Sequence, residues 1–159
     1  MLSYMMSIDY QTYLLDEARR LREQARFHNG DPVSAQDVKH SFDTLNGPHT
    51  SPQYKTLLAD VAGVDVLDAR TVRFRFKLPN RELPLTVGSL PIFSRKWGEG
   101  KTFDQVVTDI PIGSGRYRIG PVAFGRDITY VRDPNYWGRG LNVTRGTGNF
   151  ERITVKIYK

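Results

Sequence analysis

The chain contains no cysteine among its 159 residues. That excludes a disulfide framework and thiolate chemistry, and it fits an oxidising or a reducing compartment equally. No apolar run approaches the ~20 residues of a membrane-spanning helix. Histidine is scarce, and His28, His40 and His49 lack metal-ligand spacing. No Gly-x-Ser-x-Gly elbow occurs and spacing places no acid–base pair, so the sequence offers no catalytic residue, no metal ligand set and no cofactor motif, and reads as not an enzyme. No block of five or six like charges occurs either. The net charge is +6, but 23 basic residues are interleaved with 17 acidic ones, which describes a solvated basic surface better than a nucleic-acid patch. There is no internal repeat, low-complexity tract or domain linker. Residues 1–10 lack the leading basic residues, continuous apolar core and small-residue cleavage site of a signal peptide.

What is present suits one soluble globular domain. Composition is ordinary, with 39% hydrophobic and 25% charged residues. A chain of this length buries ~70% of its unfolded surface. The organising stretch is residues 25–42, ARFHNGDPVSAQDVKHSF. Arg26, Phe27 and His28 have room to be extended. Asn29 and Gly30 form a tight-turn dipeptide, because both tolerate positive φ. Ser34 then opens a helix, with Asp37 three residues on in a capping-box pattern. Val38, Phe42 and Leu45 follow on one apolar helical face. His28 and His40 read as exposed.

The rest of the chain alternates short elements. Leu14, Ala18, Leu21 and Ala25 recur at helical spacing, and Asp16 stands four residues before Arg20, so a helix is expected to about Arg22. Asn46, Gly47 and Pro48 end the Ser34 helix. A short helix is expected near Pro52, with Tyr54, Leu57, Leu58 and Val61 on its buried side. A strand over residues 63–68 and a turn at Asp68, Ala69 and Arg70 lead to the clearest strand, residues 71–78. There Val72, Phe74, Phe76 and Leu78 alternate with Arg73, Arg75 and Lys77, giving one core face and one wet face. That period also turns Phe74 and Phe76 away from the cations, whereas a nucleic-acid stacking platform would expose its rings beside them. A helical turn or two is expected within residues 83–90, a packing tryptophan at Trp97 and a short helix over residues 102–108. Gly113, Ser114 and Gly115 let the backbone approach something closely, but the loop lacks the Lys-Ser/Thr ending of a phosphate-binding P-loop. A hairpin of residues 117–122 and 127–132, a glycine-rich connection and a final strand with Ile153, Val155 and Ile157 turned inward complete the chain.

These motifs, in this order, resemble those of bacterial extracellular solute-binding proteins of family 5, the oligopeptide/dipeptide type that serves ABC importers. Phe27, Asn29, Gly30, Pro32, Val33, Ser34, Ala35, Asp37 and Val38 resemble that family's opening signature. Residues 68–78 resemble its hairpin, and residues 111–117 its Pro–x–Gly–Ser/Thr–Gly–Pro–Tyr loop, with Arg116 where proline is usual. Asp133, Pro134, Asn135, Tyr136, Trp137 and Gly138 resemble its asparagine-proline-x-tyrosine-tryptophan-glycine segment. Residues 148–153 resemble its strand entry, with Glu151 for aspartate. Residues 80–85 with Leu90, Pro91 and Ile92 resemble the branch associated with microcin C and related peptide uptake.

The resemblance implies an α+β fold, mostly antiparallel strands and hairpins with a few short helices, forming part of the first lobe of a two-lobed class II periplasmic-binding-protein-like clamshell. Residues 21–159 correspond to that partial lobe, and residues 1–20 to an N-terminal helical segment. The second lobe and the hinge have no counterpart. The implied function is capture of a peptide or peptide-like ligand between two lobes, in the periplasm, for ABC-transporter permease subunits, with weak binding or none by this chain alone. By loop position and family analogy, ligand-facing groups fall at Ser89, Leu90, Pro91 and Ile92, and at Gly113, Ser114, Gly115 and Tyr117. No nucleic-acid partner is implied. The alternative reading is a basic nucleic-acid-binding or self-associating α+β interaction domain, the latter because unpaired strand edges invite a second copy.

Overall fold

A computed structural model of the protein describes residues 6–7, 16–21, 23–106 and 109–158. Two antiparallel sheets are joined through loops and short helices. The first has the order β1-β2-β4-β3, with β1 Met6–Ser7, β2 Asp16–Leu21, β3 Val61–Val66 and β4 Thr71–Phe76. The second has the order β5-β6-β7, with β5 Tyr117–Ala123, β6 Asp127–Arg132 and β7 Arg152–Lys156. Helices α1 Ala35–Leu45, α2 Pro52–Leu57 and α3 Leu83–Gly88 lie between them in sequence.

The organising stretch folds as a hairpin feeding a capped helix. The Gly30 amide bonds the Phe27 carbonyl at 2.9 Å and the Phe27 amide bonds the Asp31 carbonyl at 2.8 Å. Only Gly30 takes positive φ (+87°), so the turn centres on His28 and Asn29 and Gly30 closes it as a bulge residue. Ser34 and Asp37 form both halves of the capping box. The buried Val38, Phe42 and Leu45 of α1 face the sheet, where the Phe42 ring meets Phe74 edge-on at 6.2 Å. The Ala35 amide donates to Ala69 at 2.9 Å, which fixes α1 against the β3–β4 turn.

The expected helix over the N-terminal segment is overturned where it can be read. Residues Asp16–Leu21 form a strand, β2, whose Glu17 and Arg19 register with Phe74 and Val72 of β4. The reason is tertiary. Phe74 and Val72 are completely buried, and the outer edge of their strand needs hydrogen-bond partners. That demand outweighs a helical spacing of apolar residues. The remainder of the expected helix, residues 8–15 and Arg22, lies outside the described residues, as do Val107 and Thr108 of the 102–108 helix. Residues Phe103–Val106 of that helix form a 3-10 turn.

The β4 alternation holds for Val72, Phe74 and Phe76, which are buried, and fails for Leu78, which is 62% exposed beyond the strand end. Leu57 is likewise exposed, because α2 ends there and the chain turns inward only at Leu58. Arg73 and Arg75 both reach Asp65 across the hairpin, at 2.9 and 3.0 Å, so two of the three cations are engaged with a carboxylate.

Among the described residues, every buried hydrophobic side chain lies between Ala25 and Val106. The second sheet supplies none. Its register aligns Ile119, Tyr130 and Ile153 in one row and Val122, Ile128 and Val155 in the next. Directly opposed residues share a sheet face, so these six form one apolar face. No residue of that face is buried, and the expected inward-facing Ile153, Val155 and Ile157 are 38%, 48% and 49% exposed.

Candidate functional site

The two segments expected to face ligand are flanked by residues that approach one another. The Ser94 amide approaches the Ile112 carbonyl at 3.4 Å, which brings the irregular segment after α3 alongside the start of the Gly113, Ser114 and Gly115 loop. Each segment is anchored from behind. Ser41 Oγ on α1 accepts the Phe93 amide at 3.1 Å and lies 3.2 Å from its carbonyl, and Asp37 Oδ1 accepts the Arg95 amide at 3.2 Å. The capping box that starts α1 therefore also holds the loop leaving α3.

The glycine loop is held by His28 and Trp137. The His28 amide donates to the Gly113 carbonyl at 2.7 Å, and its Nε2 lies 2.8 Å from the Gly115 carbonyl. A Cβ built on Gly113 would stand 3.4 Å from the His28 ring, so the loop backbone passes close beside the imidazole. Trp137 Nε1 donates to the Ser114 carbonyl at 2.9 Å. With Nε2 as donor, three successive carbonyls accept hydrogen bonds from the hairpin and from the aromatic turn. His28 is consequently half-buried rather than exposed, and His40 is half-buried with its ring edge-on to Phe93 at 5.7 Å. Neither role was legible in the sequence, because both depend on residues more than 50 positions away.

The individual candidates differ in what they present. Ser89 is exposed at the end of α3, with its hydroxyl donating back to Leu85 at 2.9 Å. Leu90 turns its side chain into the core, leaving its backbone as the group on offer. Pro91 is exposed and Ile92 half-buried. Ser114 is buried, Gly113 and Gly115 are half-buried, and Tyr117 donates its hydroxyl to the Phe150 carbonyl at 2.7 Å. None of the eight lines the three open cavities, of about 500 to 590 Å³, found elsewhere on the surface. The segment is a half-exposed wall with backbone groups at its rim. Trp97 packs behind it against Phe93 and Phe103 at 5.2 and 6.0 Å. No group of three or more His, Cys, Asp or Glu side chains poised for a metal occurs among the described residues.

Two carboxylates brace the wall and the sheet. The hydrogen bond from Lys96 holds the Asp31 carboxyl below the usual range, against a small desolvation penalty, and ties the hairpin to the loop after Phe93. The Arg73 hydrogen bond does the same for Asp65, assisted by Arg75. Depressed carboxylate pKa values contribute stability that is complete above the unfolded value of about 4 and is lost as pH falls through the folded values. The melting temperature is therefore expected to be level from pH 7 to 5 and to fall below pH 4. Asp65→Asn should melt lower at pH 7 and show a shallower acid decline, both read by circular dichroism.

Comparison with known proteins shows the family of the chain. Residues 7–159 match the family model described as bacterial extracellular solute-binding proteins, family 5 Middle. The chain belongs to that family. Among its family-5 relatives is the "Probable peptide-binding protein YejA" of Agrobacterium fabrum, 37% identical over 147 residues, covering 87% of this chain and 24% of the relative. Solved structures of similar fold include the peptide binding protein AppA from Clostridium difficile, at TM-score 0.78 and 21% identity over 98% of this chain and 32% of that one. A periplasmic oligopeptide-binding protein of an ABC transporter from Thermotoga maritima gives 0.75 and 22%, over 98% and 29%. The α+β antiparallel architecture is thus that of a solute-binding protein, and the chain spans about a quarter of the length of the curated relatives it matches.

Proposed function

We propose that this chain is one wall of a two-walled solute receptor, capturing peptides or peptide-like solutes for an ABC importer in the periplasm, with binding and no catalysis as its role. Family membership over residues 7–159 carries the reading. The latched loop at Gly113, Ser114 and Gly115, with Tyr117 beside it and residues 89–92 adjoining, is the ligand-facing rim. Capture between lobes needs a second wall to supply the remaining polar groups and to exclude water. In a longer polypeptide carrying both lobes, a mixture of short peptides should bind saturably. His28→Ala, which removes the side-chain bond to the Gly115 carbonyl, should weaken that binding about fivefold, the worth of one hydrogen bond. Unchanged affinity in that variant would remove the loop from the site.

The uncovered apolar face of the second sheet belongs to the same reading. The relatives carry most of their length outside the matched part, and that remainder is proposed to pack on Ile119, Tyr130, Ile153 and their neighbours. Without it, the open β7 edge and apolar face should pair with a second copy. Light scattering on the isolated chain is expected to give a mass that climbs above 18.2 kDa with concentration. Val155→Lys should restore the monomer, and a wild-type chain that stays monomeric at high concentration would contradict the assignment of that face.

A further inference from the structure

The glycine-rich stretch of residues 138–149, between β6 and β7, supplies none of the bonds that hold the Gly113, Ser114 and Gly115 loop. Together with one end of the second sheet it encloses an open cavity of about 540 Å³. Five arginines line that cavity. Arg116 stands just before β5, Arg132 ends β6 and Arg152 begins β7, while Arg139 and Arg145 come from the connection. The pairing explains the convergence. Tyr117 is opposite Arg132 and Val131 opposite Arg152, and the Asp133 amide bonds the Arg116 carbonyl at 2.8 Å. Three neighbouring strands therefore deliver a guanidinium at the same end.

The cavity contains two carboxylates, Asp133 and Glu151, against the five cations. Both are already engaged. Asp133 accepts the Asn135 amide at 3.1 Å and faces Arg118, which lies outside the cavity lining, at 3.7 Å. Glu151 lies 3.5 Å from Arg132. The guanidinium groups of Arg116, Arg139, Arg145 and Arg152 have no hydrogen-bond or ion-pair partner among the described residues. The loop around them is braced from within: the buried Thr144 hydroxyl lies 2.7 Å from both the Gly138 and Leu141 carbonyls, and Thr147 donates to the Thr144 carbonyl at 2.5 Å. Gly148, at φ +71°, lets the Arg116 stem pass so close that a Cβ there would be 3.0 Å from its Cδ.

We propose that this cavity binds a small, multiply charged oxyanion, a polycarboxylate or a phosphate, between Arg116, Arg139, Arg145 and Arg152. Planar guanidinium forks match both groups bidentately. Gathering uncompensated cations in one cavity is unfavourable until an anion neutralises them. The volume lies in the ~300–1,000 Å³ range of small-ligand sites. The site adjoins the proposed ligand-facing loop, since Arg116 lies between Gly115 and Tyr117, but it does not rest on peptide binding.

The test is an amide NMR titration of the chain with citrate, and separately with inorganic phosphate, against sodium chloride at equal ionic strength. The amides of Gly146, Thr147 and Gly148 should shift saturably with a Kd below about 1 mM, whereas chloride leaves them in place. Arg116→Gln and Arg145→Gln should each weaken binding about tenfold. The core amides of Val38 and Phe74 report that both variants remain folded. Tighter citrate binding identifies a polycarboxylate site and tighter phosphate binding a phosphate site. Shifts that match chloride, spread over all surface cations, or persist in both variants would overturn the proposal.

Discussion

Phe74→Ala is expected to lower the unfolding free energy by about 3–5 kcal/mol, the usual cost of emptying a buried phenylalanine site. Phe74 is completely buried on the central strand of the first sheet, between β2 and β3. Its ring meets Phe42 of α1 edge-on, one of the contacts that hold the helix to that sheet. Because all the buried hydrophobic side chains described lie between Ala25 and Val106, no second core shares the load. A loss of this size is a large part of the ~5–15 kcal/mol that holds a domain together. Urea denaturation should show the midpoint falling sharply with an unchanged slope. Phe76→Ala should cost less, since its site at the strand end is 7% exposed and can relax more readily.

Asp37→Ala is expected to cost about 2–4 kcal/mol, more than an ordinary cap. One carboxylate performs three tasks. Oδ2 accepts the Ser34 amide at 3.0 Å and the Ser34 hydroxyl at 2.5 Å, and Oδ1 accepts the Arg95 amide at 3.2 Å. Its side chain is buried, so removal leaves donors without water to replace it. Asp37→Asn keeps one of the two acceptor oxygens and turns the other into a donor, so it should lose at least half as much. The functional consequence is local. Amide exchange at Arg95 and Phe93 should accelerate in Asp37→Ala before the sheet amides respond, because the rim segment at residues 89–92 depends on this anchor.

How much was legible in the sequence follows from where each element's partners lie. The α1 start was readable because Ser34 and Asp37 satisfy one another within a single turn. The β4 core face was readable because Val72, Phe74 and Phe76 alternate within six residues. Leu78 broke that pattern because alternation does not say where a strand stops being covered. Residues Asp16–Leu21 misled more seriously. Their apolar spacing is helical, and only the free edge of β4, more than 50 residues away, makes them a strand. The site follows the same division. The Gly113, Ser114 and Gly115 loop was visible as a motif, and its neighbourhood to residues 89–92 is now a hydrogen bond between Ser94 and Ile112. The His28 and Trp137 latches were not visible, since a histidine before a tight turn and a tryptophan after a proline carry no local sign of a carbonyl partner. The inward-facing reading of Ile153, Val155 and Ile157 fails, because alternation of apolar residues does not say whether anything covers that face.

The measurement that bears most directly on the account is titration calorimetry of the isolated 159-residue chain with mixtures of short peptides. One wall without its counterpart leaves most of a ligand's surface in water, so heats no larger than dilution are predicted up to about millimolar peptide. Saturable one-to-one binding at micromolar peptide, by this chain alone, would contradict it.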